Sequence, residues 1–293
     1  MLCGELFFLC YFVADNNMDQ ELPVVISASR RTDLVGCYPD YLIEKLKSYP
    51  PQKVHTIVIW TKNPANMILH QSLRQTLSQY AQIYVQLTIT GLGGSALEPG
   101  IPAWEQVAEM VPELVQLVKG PERISWRFDP IIAAEDCTGQ TENFSLFSAM
   151  AGRIRKHGIS TCRTSWAAAY KKVVRRMQKK GFTLRTCSLE EQASQAQKLE
   201  EVAGSLGMKM YYCSMDGFER SRCIDGALLT ELHPQGLSCS LKRAKGQRTQ
   251  CGCTESIDIG WYSLKCTHGC IYCYAEPHIG GIQKIFDKRA DVC

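Results

Sequence analysis

From Leu22 onward the chain alternates short, near-continuous apolar runs with longer amphipathic stretches. Seven runs read as strands: Pro23–Ala28, His55–Trp60, Ile83–Thr88, Arg123–Phe128, Ile159–Thr164, Met208–Cys213 and Ser256–Trp261. They are β-branched or aromatic and apolar almost throughout, as parallel strands buried on both faces require. Helical periodicity falls between them, over Asp40–Lys47, Ala65–Tyr80, Ala103–Val118, Glu142–His157, Ala167–Lys180 and Leu189–Ser205. The last begins with Ser188 as a cap and Glu191 three residues on, and Gly207 suits its exit. Repeated strand–helix units predict an α/β fold with a parallel sheet, as a (β/α) barrel, a partial barrel or an open doubly wound sheet.

Each predicted strand ends by breaking into polar residues. The ends are Ser29-Arg30-Arg31-Thr32-Asp33, Thr61-Lys62-Asn63-Pro64, Thr88-Ile89-Thr90-Gly91, Arg127 with Asp129-Pro130, Ser165-Trp166 and Ser214-Met215-Asp216. In a parallel barrel the chemistry sits on this rim. Arg30, Arg31, Lys62 and Arg127 are fixed cations there, suited to carboxylate or phosphate. Asp33 and Asp129 could orient those cations or handle protons. Any single polar strand end is also what reaching water produces.

The final predicted strand delivers Cys266-Thr267-His268-Gly269-Cys270-Ile271-Tyr272-Cys273. Three thiols in a C-x3-C-x2-C run can turn toward one point, and such a donor set selects zinc, copper(I) or an iron–sulfur cluster. Three ligands also leave one position open, as a catalytic centre needs. His268 within the loop reads either as a hydrogen-bonding neighbour of the metal or as solvated. Cys223, Cys251 and Cys253 read either as a second metal site or as ordinary reduced thiols. Cys3, Cys10, Cys37, Cys137, Cys162, Cys187 and Cys293 have no ligand-like spacing and receive no role.

Composition narrows this only slightly. A hydrophobic content of 45% with 21% charged residues is ordinary for a water-soluble protein with a sizeable core. The formal charge of +4 is too small to argue for nucleic acid. The basic face Lys171, Lys172, Arg175, Arg176, Lys179, Lys180 reads first as solvated, and Lys242, Arg243, Lys245 and Arg248 as part of a polar connector over Gly236–Gly252. They give nucleic acid only weak support. With no export signal, the 15 cysteines point to thiols and metal ligands in the cytoplasm rather than a disulfide framework. The apolar run from Leu6 to Val13 is too short to span a bilayer and lacks a basic flank, so no membrane partner is expected. Residues 1–21 are expected to form an extension, with Met18 a candidate start.

The cysteine run, with Tyr272 before its last thiol, resembles the cluster loop of radical S-adenosylmethionine enzymes. That resemblance implies Cys266, Cys270 and Cys273 as ligands of a [4Fe–4S] cluster, with S-adenosylmethionine on the fourth iron. It implies Tyr272 against the adenine, and an electron donor such as a ferredoxin or flavodoxin. Lys62 and Asn63 are candidate cofactor contacts. In that superfamily the loop follows the first barrel strand, whereas here it comes last.

The whole chain resembles the family catalogued as domain of unknown function 1848, which places such a cluster last. The matching stretches are Ile26–Asp33, Trp60–Pro64, Trp126–Pro130, Cys223–Gly226 and Cys251 to Ala275. A circular permutation would reconcile the two resemblances, with Ser256–Trp261 lying beside Pro23–Ala28. On this reading residues 22–235 supply (β/α) units, and 236–293 supply a connector, the last strand and the loop that closes the same barrel. The expected activity is radical cleavage of S-adenosylmethionine acting on an unknown substrate. The alternative is a zinc- or cluster-binding structural or nucleic-acid-binding protein.

Overall fold

The structure is a computed structural model, and it describes residues 22–277 apart from 219, 262, 263 and 276. The expected extension over residues 1–21, with Met18, Cys3 and Cys10, lies outside the described residues, as does Cys293. The strands in chain order are β1 (Val24–Ala28), β2 (Val54–Thr61), β3 (Ile83–Thr88), β4 (Ile124–Ile131), β5 (Ala133–Asp136), β6 (Gly139–Glu142), β7 (Thr161–Trp166), β8 (Thr183–Arg185), β9 (Lys209–Tyr212) and β10 (Ile257–Asp258).

Seven of these form one parallel sheet in the order β10-β1-β2-β3-β4-β7-β9. All seven expected strands are therefore present, and they are the seven members of this sheet. β-Branched residues at its centre explain the match. Ile57, Val58 and Ile59 of β2 are wholly buried, with neighbours on both faces. The last strand pairs with the first, Ile26 opposite Ile257 and Ser27 opposite Asp258. Among the described residues no ladder joins β9 to β10, so the sheet is a mixed α/β arrangement consistent with a partial barrel.

The helices cover the sheet less regularly than the periodicity predicts. Ala65–Tyr80 divides into Ala65–Leu69 and Gln71–Ser78, because His70 is extended and its Nδ1 caps the Leu73 amide at 3.2 Å. Ala103–Val118 divides at Met110, where Pro112 takes the second position of the following helix. Glu142–His157 shortens to Phe147–Arg155, since Glu142 is used in β6. Ala167–Lys180 shortens to Lys171–Gln178, whereas Leu189–Ser205 keeps both bounds and its reciprocal cap between Ser188 and Glu191.

A second, antiparallel sheet, β6-β5-β8, escapes the periodicity because its strands are short and half polar. The core beneath the sheet holds Trp126, Phe128 and Phe147, whose ring centroids lie 5.3–5.6 Å apart. The described part of Gly236–Gly252 contains no helix or strand, as a connector should. Among the described residues no helix is long and apolar enough to cross a membrane.

Candidate metal centre

One cavity of about 1230 Å³ opens at the C-terminal ends of the parallel strands. Its lining runs from Asp258 of β10 through Arg30, Lys62, Thr88, Asp129 and Trp166 to Ser214 after β9. Both edges of the sheet thus reach a single space. Arg30, Arg31, Asp33, Lys62, Arg127, Asp129, Tyr272, Cys266, Cys270 and Cys273 all line it, as do Cys223, Cys251 and Cys253. Asn63 does not. Its side-chain oxygen accepts from the Ala65 amide at 3.2 Å and opens the helix there.

The cysteine loop is fastened from three sides. From the β1 side, Thr32 Oγ1 donates to Leu264 O at 2.7 Å and Tyr38 donates its hydroxyl to Lys265 O at 2.5 Å. From the loop after β3, Gly100 N donates to His268 O at 3.0 Å, while Ile271 N donates to Leu97 O at 3.1 Å. From helix Lys171–Gln178, the Arg176 guanidinium donates to the carbonyls of Ile271 (2.7 Å), Ala275 (3.3 Å) and Cys273. The expectation of a solvated basic face fails at Arg176. A fork of N–H groups meets carbonyls that would otherwise lie buried without partners.

His268 is buried rather than solvated, and its Nε2 lies 2.8 Å from Asp33 Oδ2. Burial disfavours its imidazolium, but Asp33 and Cys37 outweigh this and raise its pKa to about 10. Burial also works against the Asp33 carboxylate. His268 and the amides of Gly36 and Lys62 nevertheless hold its pKa below the usual value. Asp33 further accepts from Thr61 Oγ1 at 2.9 Å, so it ties together the ends of β1 and β2 and the loop. A side chain at Gly36 would sit 2.8 Å from the His268 ring and 2.9 Å from the Asp33 carboxylate, which explains the glycine there.

Sulfur geometry departs from the expected ligand set. Cys37, given no role by its spacing, has its Sγ 3.7 Å from Cys266 Sγ. Cys37, Cys266 and His268 offer ligand atoms all within 4.8 Å of one another, the one such group among the described residues. Cys270 and Cys273 line the same cavity a few residues along but do not join that group. Burial pushes the Cys270 thiol well up, partly offset by the Lys62 charge.

On the far side of the loop lies a network that the sequence reading missed. The buried Glu98 carboxylate accepts from Lys62 Nζ at 2.6 Å, from Thr90 Oγ1 at 2.7 Å and from the Tyr272 hydroxyl. Lys62 Nζ also lies 3.1 Å from the Tyr272 oxygen. Burial opposes the ammonium, but Glu98 holds the Lys62 pKa above its ordinary value. Arg127 pairs with Asp129, which Ser165 also contacts, and both Arg30 and Arg127 stack on Trp60, at 5.2 and 5.0 Å from its centroid. Only the position of Glu98, after a glycine-rich turn following a strand, hints at its role.

A family model described as "Domain of unknown function (DUF1848)" matches residues 47–275. A search of the curated proteins finds none that matches the chain.

Proposed function

Because the chain belongs to the DUF1848 family, whose name supplies no reaction, we propose its function from the site itself: an iron–sulfur enzyme of radical S-adenosylmethionine type. The observation that carries this reading is the convergence on one rim. Three thiols of a single loop, Cys266, Cys270 and Cys273, face a cavity of about 1230 Å³ whose other walls carry Arg30, Lys62 and Arg127. A donor set of soft thiolates fits an iron–sulfur cluster and suits neither magnesium nor calcium. When bound, a reduced [4Fe–4S] cluster supplies the electron that cleaves S-adenosylmethionine to a 5′-deoxyadenosyl radical.

The chain's own residues position and enclose. Asp33 and His268 fix the loop against the ends of β1 and β2. Arg176 fixes its other end. Glu98 holds Lys62 protonated beside Tyr272, leaving a cation at the cofactor side of the cavity. Arg30, Arg31 and Arg127 offer positive charge to an anionic substrate, and Asp129 orients Arg127. The electron would come from a ferredoxin or flavodoxin. Residues 22–235 and 236–277 would then form one catalytic unit, with β10 standing where a permuted barrel needs its first strand.

Protein reconstituted anaerobically with iron and sulfide, then given dithionite and S-adenosylmethionine, is expected to release 5′-deoxyadenosine and methionine. Changing Cys266, Cys270 or Cys273 to Ala should abolish this. A full complement of [4Fe–4S] with no 5′-deoxyadenosine would reduce the centre to electron transfer or structure.

A second reading rests on the Cys37–Cys266–His268 group, whose mixed sulfur and nitrogen donors also suit zinc in a structural or nucleic-acid-binding protein. Cys37→Ala separates the two. Under the zinc reading it removes one zinc per chain, and under the cluster reading iron content and 5′-deoxyadenosine release persist.

A further inference from the structure

Away from the 266–273 loop, four sulfurs from three chain segments meet on the opposite part of the cavity wall. Cys213 follows β9 directly, its amide held by Thr164 O at 2.8 Å. Its Sγ lies 3.8 Å from Cys223 Sγ. Cys253 lies within hydrogen-bonding reach of both Cys223 and Cys251, so the sulfurs run 213–223–253–251 in unbroken contact. Cys223, Cys251 and Cys253 are buried and Cys213 nearly so.

The turn that brings the last two in depends on Gly252. Its amide donates to Ser221 O at 3.0 Å, and a Cβ there would meet that oxygen at 3.0 Å and Arg222 Cγ at 2.9 Å. Only a residue without a side chain lets Cys251 and Cys253 close on Cys223.

We propose that Cys213, Cys223, Cys251 and Cys253 form a closed tetrathiolate zinc site, separate from the cysteine loop. Zinc–sulfur bonds of about 2.3 Å set the sulfurs of a tetrahedron about 3.8 Å apart. The Cys213–Cys223 separation already has that value. Four sulfurs in contact cannot carry thiolate charge together without a cation between them, whereas one divalent ion binds all four.

The surroundings suit the double negative charge that remains. Backbone amides of Cys223 and Ile224 point at Cys253 Sγ from 3.2 and 3.5 Å. Arg127 Nη1 donates to Cys223 Sγ at 3.2 Å, and Arg30 lies beside Cys251 and Cys253. Such N–H groups hold ligand sulfurs in place. Cys239, in the same apolar cluster, bonds instead to Thr230 and to Gly226 O. The site would tie the segment after β9 to the connector, next to the arginines that face substrate.

The test uses the full chain with Cys266, Cys270 and Cys273 all changed to Ala, so that the loop contributes no metal. This variant is expected to retain one zinc per chain by elemental analysis. Adding Cys251→Ala and Cys253→Ala should remove it, whereas adding Cys239→Ala should not. Cobalt(II) given to the metal-free triple variant should produce the visible bands of tetrahedral tetrathiolate coordination. That readout needs no further substitution, so a misfolded five-site variant leaves the test intact. A folded triple variant without zinc would overturn the proposal, as would zinc indifferent to Cys251 and Cys253. Iron with sulfide in place of zinc, or a cobalt spectrum without thiolate bands, would overturn it as well. None of these results depends on whether S-adenosylmethionine is cleaved.

Discussion

The cysteine loop of residues 266–273 and the sulfur group around Cys223 line the same cavity, yet they are built in opposite ways. The loop takes its thiols from one short run and spreads them, with only Cys266 near a second sulfur, that of Cys37. The Cys223 group takes its thiols from distant segments and packs them together, with backbone amides turned toward Cys253. Spread thiols around open space suit a centre that must admit a ligand, and packed thiols suit one that must exclude everything but its ion. One wall is arranged for chemistry and the other for holding.

The largest expected effect tests that division directly. Cys270→Ala should abolish iron loading and 5′-deoxyadenosine release, a loss of at least about 100-fold, on the order reported for damage around metal centres, while zinc stays at its wild-type level. Cys223→Ala should do the reverse, removing zinc while iron remains. Parallel loss of both metals in both variants, measured by elemental analysis, would mean the walls act as one site.

Next in size is Glu98→Gln. Lys62 would keep its charge in a nearly buried position without a counter-ion, which costs about 3 kcal/mol in unfolding free energy. Denaturant unfolding should show this loss with zinc content unchanged. An equal loss on the zinc side would blur the comparison.

Gly252→Ala should cost about 1–3 kcal/mol through overpacking against Ser221 O. It should weaken zinc retention while leaving the loop's iron. Iron loss from this variant, read by its visible absorbance, would show that the two walls communicate.

The smallest effect is a pH dependence confined to the loop side. In metal-free protein the His268–Asp33 pair contributes fully below the unfolded value of about 6.5. That contribution is lost as pH rises through about 10. Tm should fall by a few degrees across this window, at roughly 2–4 °C for each kcal/mol. His268→Gln should flatten the slope, and an unchanged slope in that variant would assign the titration elsewhere.

What could be read from the sequence follows the range of the interactions involved. Strands such as His55–Trp60 announce themselves because burial on both faces demands a continuous apolar run. Cys266, Cys270 and Cys273 announce themselves because a loop can bring near neighbours to one point. Cys37 does not, since its contact lies 229 residues away and spacing carries no trace of it. Cys213 was counted only as the end of a predicted strand. Its position on the rim, the same that singled out Arg30 and Lys62, was the signal available. Glu98 and Arg176 were hidden for a different reason. Each looks like an ordinary surface charge until the fold buries a partner against it. The short strands β5, β6 and β8 were lost because half-polar segments of three or four residues have no period to detect.

The pairing of β10 with β1 has a consequence for how the molecule is made. A chain emerging from the ribosome presents β1 first, and domains generally begin to fold from the N-terminal side. Six of the seven parallel strands, with Asp33, Lys62, Arg127 and Cys213 in place, are synthesised before residue 257 appears. The exposed edge of β1 must wait for β10, and the cysteine loop arrives only after that strand has docked. Metal loading at the loop is thereby the final event of biogenesis, performed on a scaffold already formed. A ribosome stalled ahead of β10 would carry a largely folded chain that cannot yet take up iron at this site.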